Sequence, residues 1–125
     1  VPKIRDVDQM SIKEIGSALR KTSRLCRDLK IDKKEFFGGS MTISSLGGIG
    51  GTFFTPIINP PEVAILGVGK SFDRLVKVKD KFVSRKILPI SLSYDHRIID
   101  GAEGARFCVY LGKCLGKDFA FKLAV

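Results

Sequence analysis

The ten residues Ser93-Tyr94-Asp95-His96-Arg97-Ile98-Ile99-Asp100-Gly101-Ala102 contain the only histidine of this chain. Imidazole is the one side chain that ordinarily titrates near neutrality, so His96 is the candidate general base. It stands where an apolar run gives way to a helical pattern, a place that an ordinary surface or core histidine also occupies. Asp100 follows four residues later and reads either as a carboxylate that serves the imidazole or as a plain helix cap. Ser44 precedes the glycine-rich residues 47–51. It is a strand serine, or a hydroxyl that small neighbours leave open to a substrate. Cys26, Cys108 and Cys114 are widely spaced with no CxxC pair, which argues for reduced thiols packed as small apolar groups and against a disulfide framework or a zinc site. A covalent mechanism through Cys108 or Cys114 would need an adjacent base, and neither has one in the sequence.

The elements that must position these residues follow from periodicity. Ser11 and Glu14 form a capping-box pattern, and Ile12, Ile15, Ala18 or Leu19, Leu25 or Cys26, and Leu29 recur at helical spacing, predicting an amphipathic helix over residues 11–29. A helical turn is expected at 32–36, ended by Gly38-Gly39. Residues 40–46 alternate Met41, Ile43 and Ser45 against Thr42 and Ser44, the pattern of a strand with one apolar face. The glycines at 47–51 predict a flexible loop and the prolines at 56–61 a stiff one, with Asn59 holding it or lining a channel. Residues 63–68 form a continuous apolar run suited to a buried strand. Residues 72–78 and 82–93 read as a hairpin around Lys79-Asp80-Lys81 whose second strand delivers Tyr94 and His96. Asp100 then caps a final helix over 101–115, with Ala105, Cys108, Val109, Leu111 and Leu115 facing inward. Length and mixture together predict one α/β domain.

Two sequences mimic nucleotide loops. Gly69-Lys70-Ser71 ends like a phosphate-binding loop, but Ala64 stands where that motif needs glycine and a strand follows instead of a helix. Gly48-Ile49-Gly50-Gly51 lacks the full GxGxxG spacing and its strand-turn-helix setting. Neither supports a nucleotide hydrolase or a dehydrogenase.

Residues 41–52, MTISSLGGIGGT, 56–68, PIINPPEVAILGV, and 89–101, PISLSYDHRIIDG, occur in that order. Each is similar to a signature segment of the dihydrolipoamide acyltransferases, the core subunits of 2-oxoacid dehydrogenase complexes, and the last carries their HRxxDG element. The resemblance runs from Val1 to about Phe107 and is nearest the acetyl-transferring, pyruvate-type branch. It implies that residues 1–125 form the C-terminal part of the acyltransferase catalytic domain. The implied fold is a two-layer, mixed sheet covered by helices, like chloramphenicol acetyltransferase but incomplete, with exposed apolar surface or a covering partner in consequence.

The resemblance also implies an activity, the transfer of an acetyl group from S-acetyldihydrolipoamide to coenzyme A. His96 would take the coenzyme A thiol proton, and Ser44 would donate to the oxyanion. Asp100 would order the site through a basic side chain, with Arg97 as a candidate partner, while a backbone carbonyl fixes the imidazole. Ser45 and Gly69 fall where relatives contact coenzyme A. The lipoyl group would be carried on a domain outside this chain, and no metal is called for. Implied partners are further copies, associating as trimers that build a larger core, and the pyruvate decarboxylase and dihydrolipoamide dehydrogenase subunits. The compartment would be the cytoplasm of a bacterium or the mitochondrial matrix of a eukaryote. The rival readings are an inactive structural or assembly fragment of that core, or an acyltransferase for another small acceptor.

Net charge is +9, from 22 basic and 13 acidic residues, which favours anionic partners. Much of it lies in Arg20, Lys21, Arg24, Arg27, Lys30, Lys33 and Lys34, where a helix would present a solvated face or meet the phosphates of coenzyme A. No nucleic-acid module accompanies it, so no nucleic acid is expected. No apolar run approaches the roughly 18 residues that a membrane span needs, so no membrane is expected either.

Overall fold

The computed structural model describes residues 1–116 and Phe119. Where length predicts one domain, the chain divides into two compact units, one of Val1–Ser40 with the residues from Tyr110, the other of Met41–Val109.

The first unit is organised by helix α1, Ile12–Arg27. Ser11 opens it with both halves of the expected capping box, its hydroxyl accepting from the Glu14 amide while the Glu14 carboxylate accepts from the Ser11 amide at 2.8 Å. The Ser11 hydroxyl also donates to the Glu14 carboxylate at 2.7 Å, and this bond, with that from the Ser11 amide, holds the Glu14 carboxyl below its ordinary range. The helix stops two residues before the predicted Leu29. The Leu29 amide donates to the Cys26 carbonyl and that of Lys30 to the Leu25 carbonyl, the paired bonds of a Schellman cap. That cap puts Leu29 at a left-handed φ of 54°, and its side chain is 91% exposed instead of closing the apolar stripe. A 3-10 turn over Lys33–Phe36 follows as predicted, its Asp32 cap accepting from the Lys34 amide.

The second unit carries the strands β1, Thr42–Ser45; β2, Ala64–Val68; β3, Phe72–Val78; β4, Lys81–Ile87; and β5, Ile90–Tyr94; with helix α2, Gly101–Cys114, beginning after them. Two sheets result, a three-stranded one in the order β1-β2-β5 and the hairpin β3-β4. The first is mixed, β2 pairing parallel with β1 and antiparallel with β5. As the central strand, β2 supplies the buried apolar core among the described residues, Ala64, Ile65 and Leu66, which explains its unbroken apolar run. Phe54 and Pro56 lie against it at Gly67, so close that a Cβ there would meet the Phe54 ring at 2.9 Å.

Three expectations change. The predicted strand over 82–93 is two strands in different sheets, broken at Leu88-Pro89. Proline has no amide to continue the β3 ladder, and the Pro89 carbonyl instead accepts from the Gly69 amide at 3.0 Å, delivering β5 to β2. Ile43 shares the register row of Leu66 and Leu92 but is 68% exposed, because β1 is an edge strand, while Thr42 on the other face is buried. On α2 the shielded positions are Gly104, Cys108, Leu111 and Cys114, and Ala105, Val109 and Leu115 are exposed. Gly104 sets that face, since a Cβ there would lie 2.8 Å from the Tyr94 ring.

Residues 47–51 are less free than glycine content suggests. The Leu46 carbonyl accepts from the amides of Ile49 and Gly50, and the Gly51 carbonyl accepts from Lys70 at 2.9 Å. Gly51, at φ 86°, occupies the left-handed region that only glycine enters without strain.

Candidate active site

Strand β5 ends at Tyr94, and the chain turns sharply through residues 95–99 into α2. His96 projects from this turn and is exposed. Its ring lies 5.7 Å from that of Tyr94 between centroids, tilted by 36°. Gly101 lies alongside, a Cβ there coming within 3.8 Å of both the His96 Nε2 and the Tyr94 hydroxyl. Among the described residues the imidazole makes no hydrogen bond, so the backbone carbonyl expected to fix it is not in place.

Asp95 shapes the turn. Its carbonyl accepts from the amides of Ile98 and Ile99, both at 3.0 Å, and its own amide donates to the Val63 carbonyl of the central sheet at 2.8 Å. Its carboxylate accepts from the Arg97 amide at 3.0 Å and from the guanidinium side-on, Nε at 2.9 Å and Nη2 at 2.6 Å. These Arg97 bonds pull the Asp95 carboxyl down to about 2 and push the Arg97 guanidinium up. Aspartate at the first position of a four-residue turn is the sequence signal that could have marked this residue.

Arg97 is therefore the partner of Asp95 and not of Asp100, which corrects the pairing considered from sequence. Asp100 caps α2. Its carboxylate accepts from the Glu103 amide at 2.8 Å and its carbonyl from the Gly104 amide at 3.1 Å, and among the described residues it forms no ion pair.

Ser44 is half-buried on β1, its side chain without a hydrogen bond among the described residues. The register aligns it with Gly67 and, across β2, with Ser91. Ser91 lies three residues short of Tyr94, roughly 10 Å of strand, and two strand spacings of about 4.8 Å separate β1 from β5, so Ser44 is on the order of 14 Å from the end of β5. His96 lies beyond that end. Within one chain His96 and Asp100 stand four residues apart on the way from β5 into α2, while Ser44 lies at the other end of the sheet.

Ser45 is exposed, and its hydroxyl lies beside Gly47. Gly69 is buried, enclosed by the Thr52 and Gly51 carbonyls and the Pro89 ring. The Asn59 backbone carbonyl accepts from the Glu62 amide at 3.0 Å. Sequence reading missed Glu62 itself, whose buried carboxylate accepts from the buried Thr42 hydroxyl and ties the entry of β2 to β1. The basic residues of α1, Arg20, Lys21, Arg24 and Arg27, are exposed and form no salt bridge among the described residues.

Among the described residues no group of three or more potential ligands could hold a metal ion, and no helix is long and apolar enough to cross a membrane. Residues 1–120 match the 2-oxoacid dehydrogenases acyltransferase (catalytic domain) family, and the chain belongs to it. It is 51% identical over 119 residues to the dihydrolipoyllysine-residue acetyltransferase component of pyruvate dehydrogenase complex of Cupriavidus necator, covering 95% of this chain and 21% of that protein. The same component of Haemophilus influenzae is 51% identical over 115 residues, covering 92% and 20%. The solved dihydrolipoamide acetyltransferase of Azotobacter vinelandii superposes with a TM-score of 0.90 at 48% identity, over 96% of this chain and 49% of that one. A cubic core of the pyruvate dehydrogenase multienzyme complex matches with the same TM-score, identity and coverage. The chain therefore spans about a fifth of the curated relatives and about half of the solved chains.

Proposed function

We propose that this chain contributes the histidine-bearing part of an acetyl-transferring site in the core of a pyruvate dehydrogenase complex. The observation that carries this reading is the exposed His96, the one imidazole of the chain, held on a defined turn at the end of the mixed sheet. A second observation supports the residue roles. The Azotobacter enzyme was investigated for the catalytic roles of a serine, a histidine and an asparagine spaced by fifty-two and then four residues, the spacing of Ser44, His96 and Asp100.

In the proposed reaction His96 accepts the proton of the coenzyme A thiol, and the sulfur attacks the thioester carbonyl of S-acetyldihydrolipoamide. The Ser44 hydroxyl donates to the oxyanion that forms. Collapse breaks the old carbon–sulfur bond, and the proton on His96 passes to the departing dihydrolipoyl sulfur, leaving acetyl-coenzyme A. Asp100 fixes where α2 begins and with it Gly101, the wall beside the imidazole. Because Ser44 and His96 lie at opposite ends of one sheet, the site joins Ser44 of one copy to His96 of another, which supports self-association into trimers. Coenzyme A and the lipoyl arm enter as substrates, and the exposure of Ser45 supports a contact with the former. The decarboxylase and dihydrolipoamide dehydrogenase subunits are the partners this reading calls for, in a bacterial cytoplasm or a mitochondrial matrix.

A structural role alone is favoured by one specific observation, the exposure of Ile43, Ile49, Phe53 and Ile57 on the histidine-bearing unit. The test is acetyl transfer from acetyl-dihydrolipoamide to coenzyme A by the 125-residue chain, with its solution mass measured on the same sample. Turnover by an oligomer, abolished by His96→Ala, is the expected result. A folded oligomer without turnover would leave the structural role, and turnover that survives His96→Ala would overturn the assignment of the base.

A further inference from the structure

We propose that Asp95 is the positioning residue of His96, holding the turn from which the imidazole projects. The inference rests on the reading of His96 as the base. Among the described residues, every hydrogen bond recorded within residues 95–99 ends on Asp95, two at its carbonyl and the rest at its carboxylate. The bonds come from both sides of His96. Arg97, Ile98 and Ile99 fold back over it, and the Asp95 amide ties the preceding residue to the Val63 carbonyl at 2.8 Å. Val63 leads into the central strand β2, so the turn is referenced to the most buried part of the sheet.

The ion pair by itself adds little stability. The Asp95–Arg97 pair is exposed on the arginine side, 88% against 19% for the aspartate, and exposed ion pairs contribute little to folding. The Asp95 carboxylate takes the Arg97 amide and guanidinium together, which closes a ring around the His96 backbone and restricts the residue that carries the imidazole. His96 itself, with no hydrogen bond of its own among the described residues, takes its direction from this turn and from the Tyr94 ring.

Asparagine at position 95 keeps an oxygen for the Arg97 amide, whereas alanine removes it. The test is the nuclear Overhauser contact between the Tyr94 and His96 rings in the full chain, unambiguous because His96 is the only histidine, followed in Asp95→Ala and Asp95→Asn. Asp95→Ala should keep the dispersed amide spectrum of the remaining chain, lose the ring–ring contact and, in a sample that turns over, lower kcat on the order of a hundredfold with KM within about twofold. Asp95→Asn should restore the contact and most of the turnover. A ring–ring contact that persists in Asp95→Ala overturns the proposal. So does unfolding of both variants, which would make Asp95 a residue of the fold and not of the site. The contact is read whether or not the chain transfers acetyl groups, so failure of the proposed reaction and failure of the positioning role are told apart.

Discussion

Replacing Gly69 by alanine separates packing from ligand contact at a position that the family resemblance places against coenzyme A. The Gly69 φ lies outside the left-handed region, so backbone strain does not enter and only space decides the outcome. An added Cβ would fall well inside contact distance of the Thr52 carbonyl oxygen, 3.0 Å from the Pro89 Cγ and 3.1 Å from the Gly51 carbonyl oxygen. Two of these neighbours are backbone and the third is a ring closed on the backbone, so no rotamer change relieves the overlap. The Thr52 segment would have to retreat by on the order of 1 Å to regain ordinary separation. That movement strains the bond from the Lys70 amide to the Gly51 carbonyl, at 2.9 Å, and the one from the Gly69 amide to Pro89, at 3.0 Å. Overpacking of this kind costs about 1–3 kcal/mol, and one weakened backbone bond adds about 1 kcal/mol. The expected loss is therefore about 3 kcal/mol, a large share of the roughly 5–15 kcal/mol that holds a domain. At about 4 °C per kcal/mol, Tm should fall by roughly 12 °C. Gly48 is the control, because nothing lies within 4 Å of its Cβ position and its φ is likewise unstrained. Gly48→Ala should stay within about 0.5 kcal/mol of the parent or gain slightly by restricting the unfolded chain. Urea unfolding followed by circular dichroism measures both. A Gly69→Ala protein within about 0.5 kcal/mol of the parent, or a Gly48→Ala loss of equal size, would refute the packing argument.

Asp100→Asn should leave stability nearly unchanged, since asparagine caps as well as aspartate, while Asp100→Ala should lose about 1 kcal/mol in the same unfolding assay; a larger loss on Asp100→Asn would reveal a charge role beyond the cap. Asp95 responds to pH with a definite sign. Its folded carboxyl sits at about 2, below the ordinary aspartate value, so its contribution to folding is fully present above the unfolded range near 3.9 and is lost as pH falls from there through about 2. Carboxyl-carbon chemical shifts should show a midpoint near 2 that rises toward the ordinary value in Arg97→Ala, and a midpoint unchanged by that substitution would remove the guanidinium as the cause.

Local chemistry left clear marks in the sequence. The capping box at Ser11 and Glu14, the turn at 33–36, the buried β2 and the Asp100 cap were all legible, because each depends on residues a few positions apart. So was the family, through three motifs in order. The departures arose where partners are distant. Leu29 left the apolar stripe because the Schellman cap needed its backbone, a choice that helical periodicity alone does not register. The run over 82–93 reads as one strand until the carbonyl of Pro89 meets the amide of Gly69.

The sequence by itself determined which groups could do chemistry, because imidazole, hydroxyl and carboxylate carry their reactivity with them. It also determined most element boundaries, because caps, turns and periodicity act over short range. Tertiary structure alone decided how these groups meet. Strand register set Ser44 on the order of 14 Å from the end of β5 that precedes His96, through the pairing of three strands from separate parts of the chain. Tertiary structure also assigned Arg97 to Asp95 instead of Asp100, since both carboxylates lie within three residues of Arg97 in sequence and only the direction of the turn chooses between them.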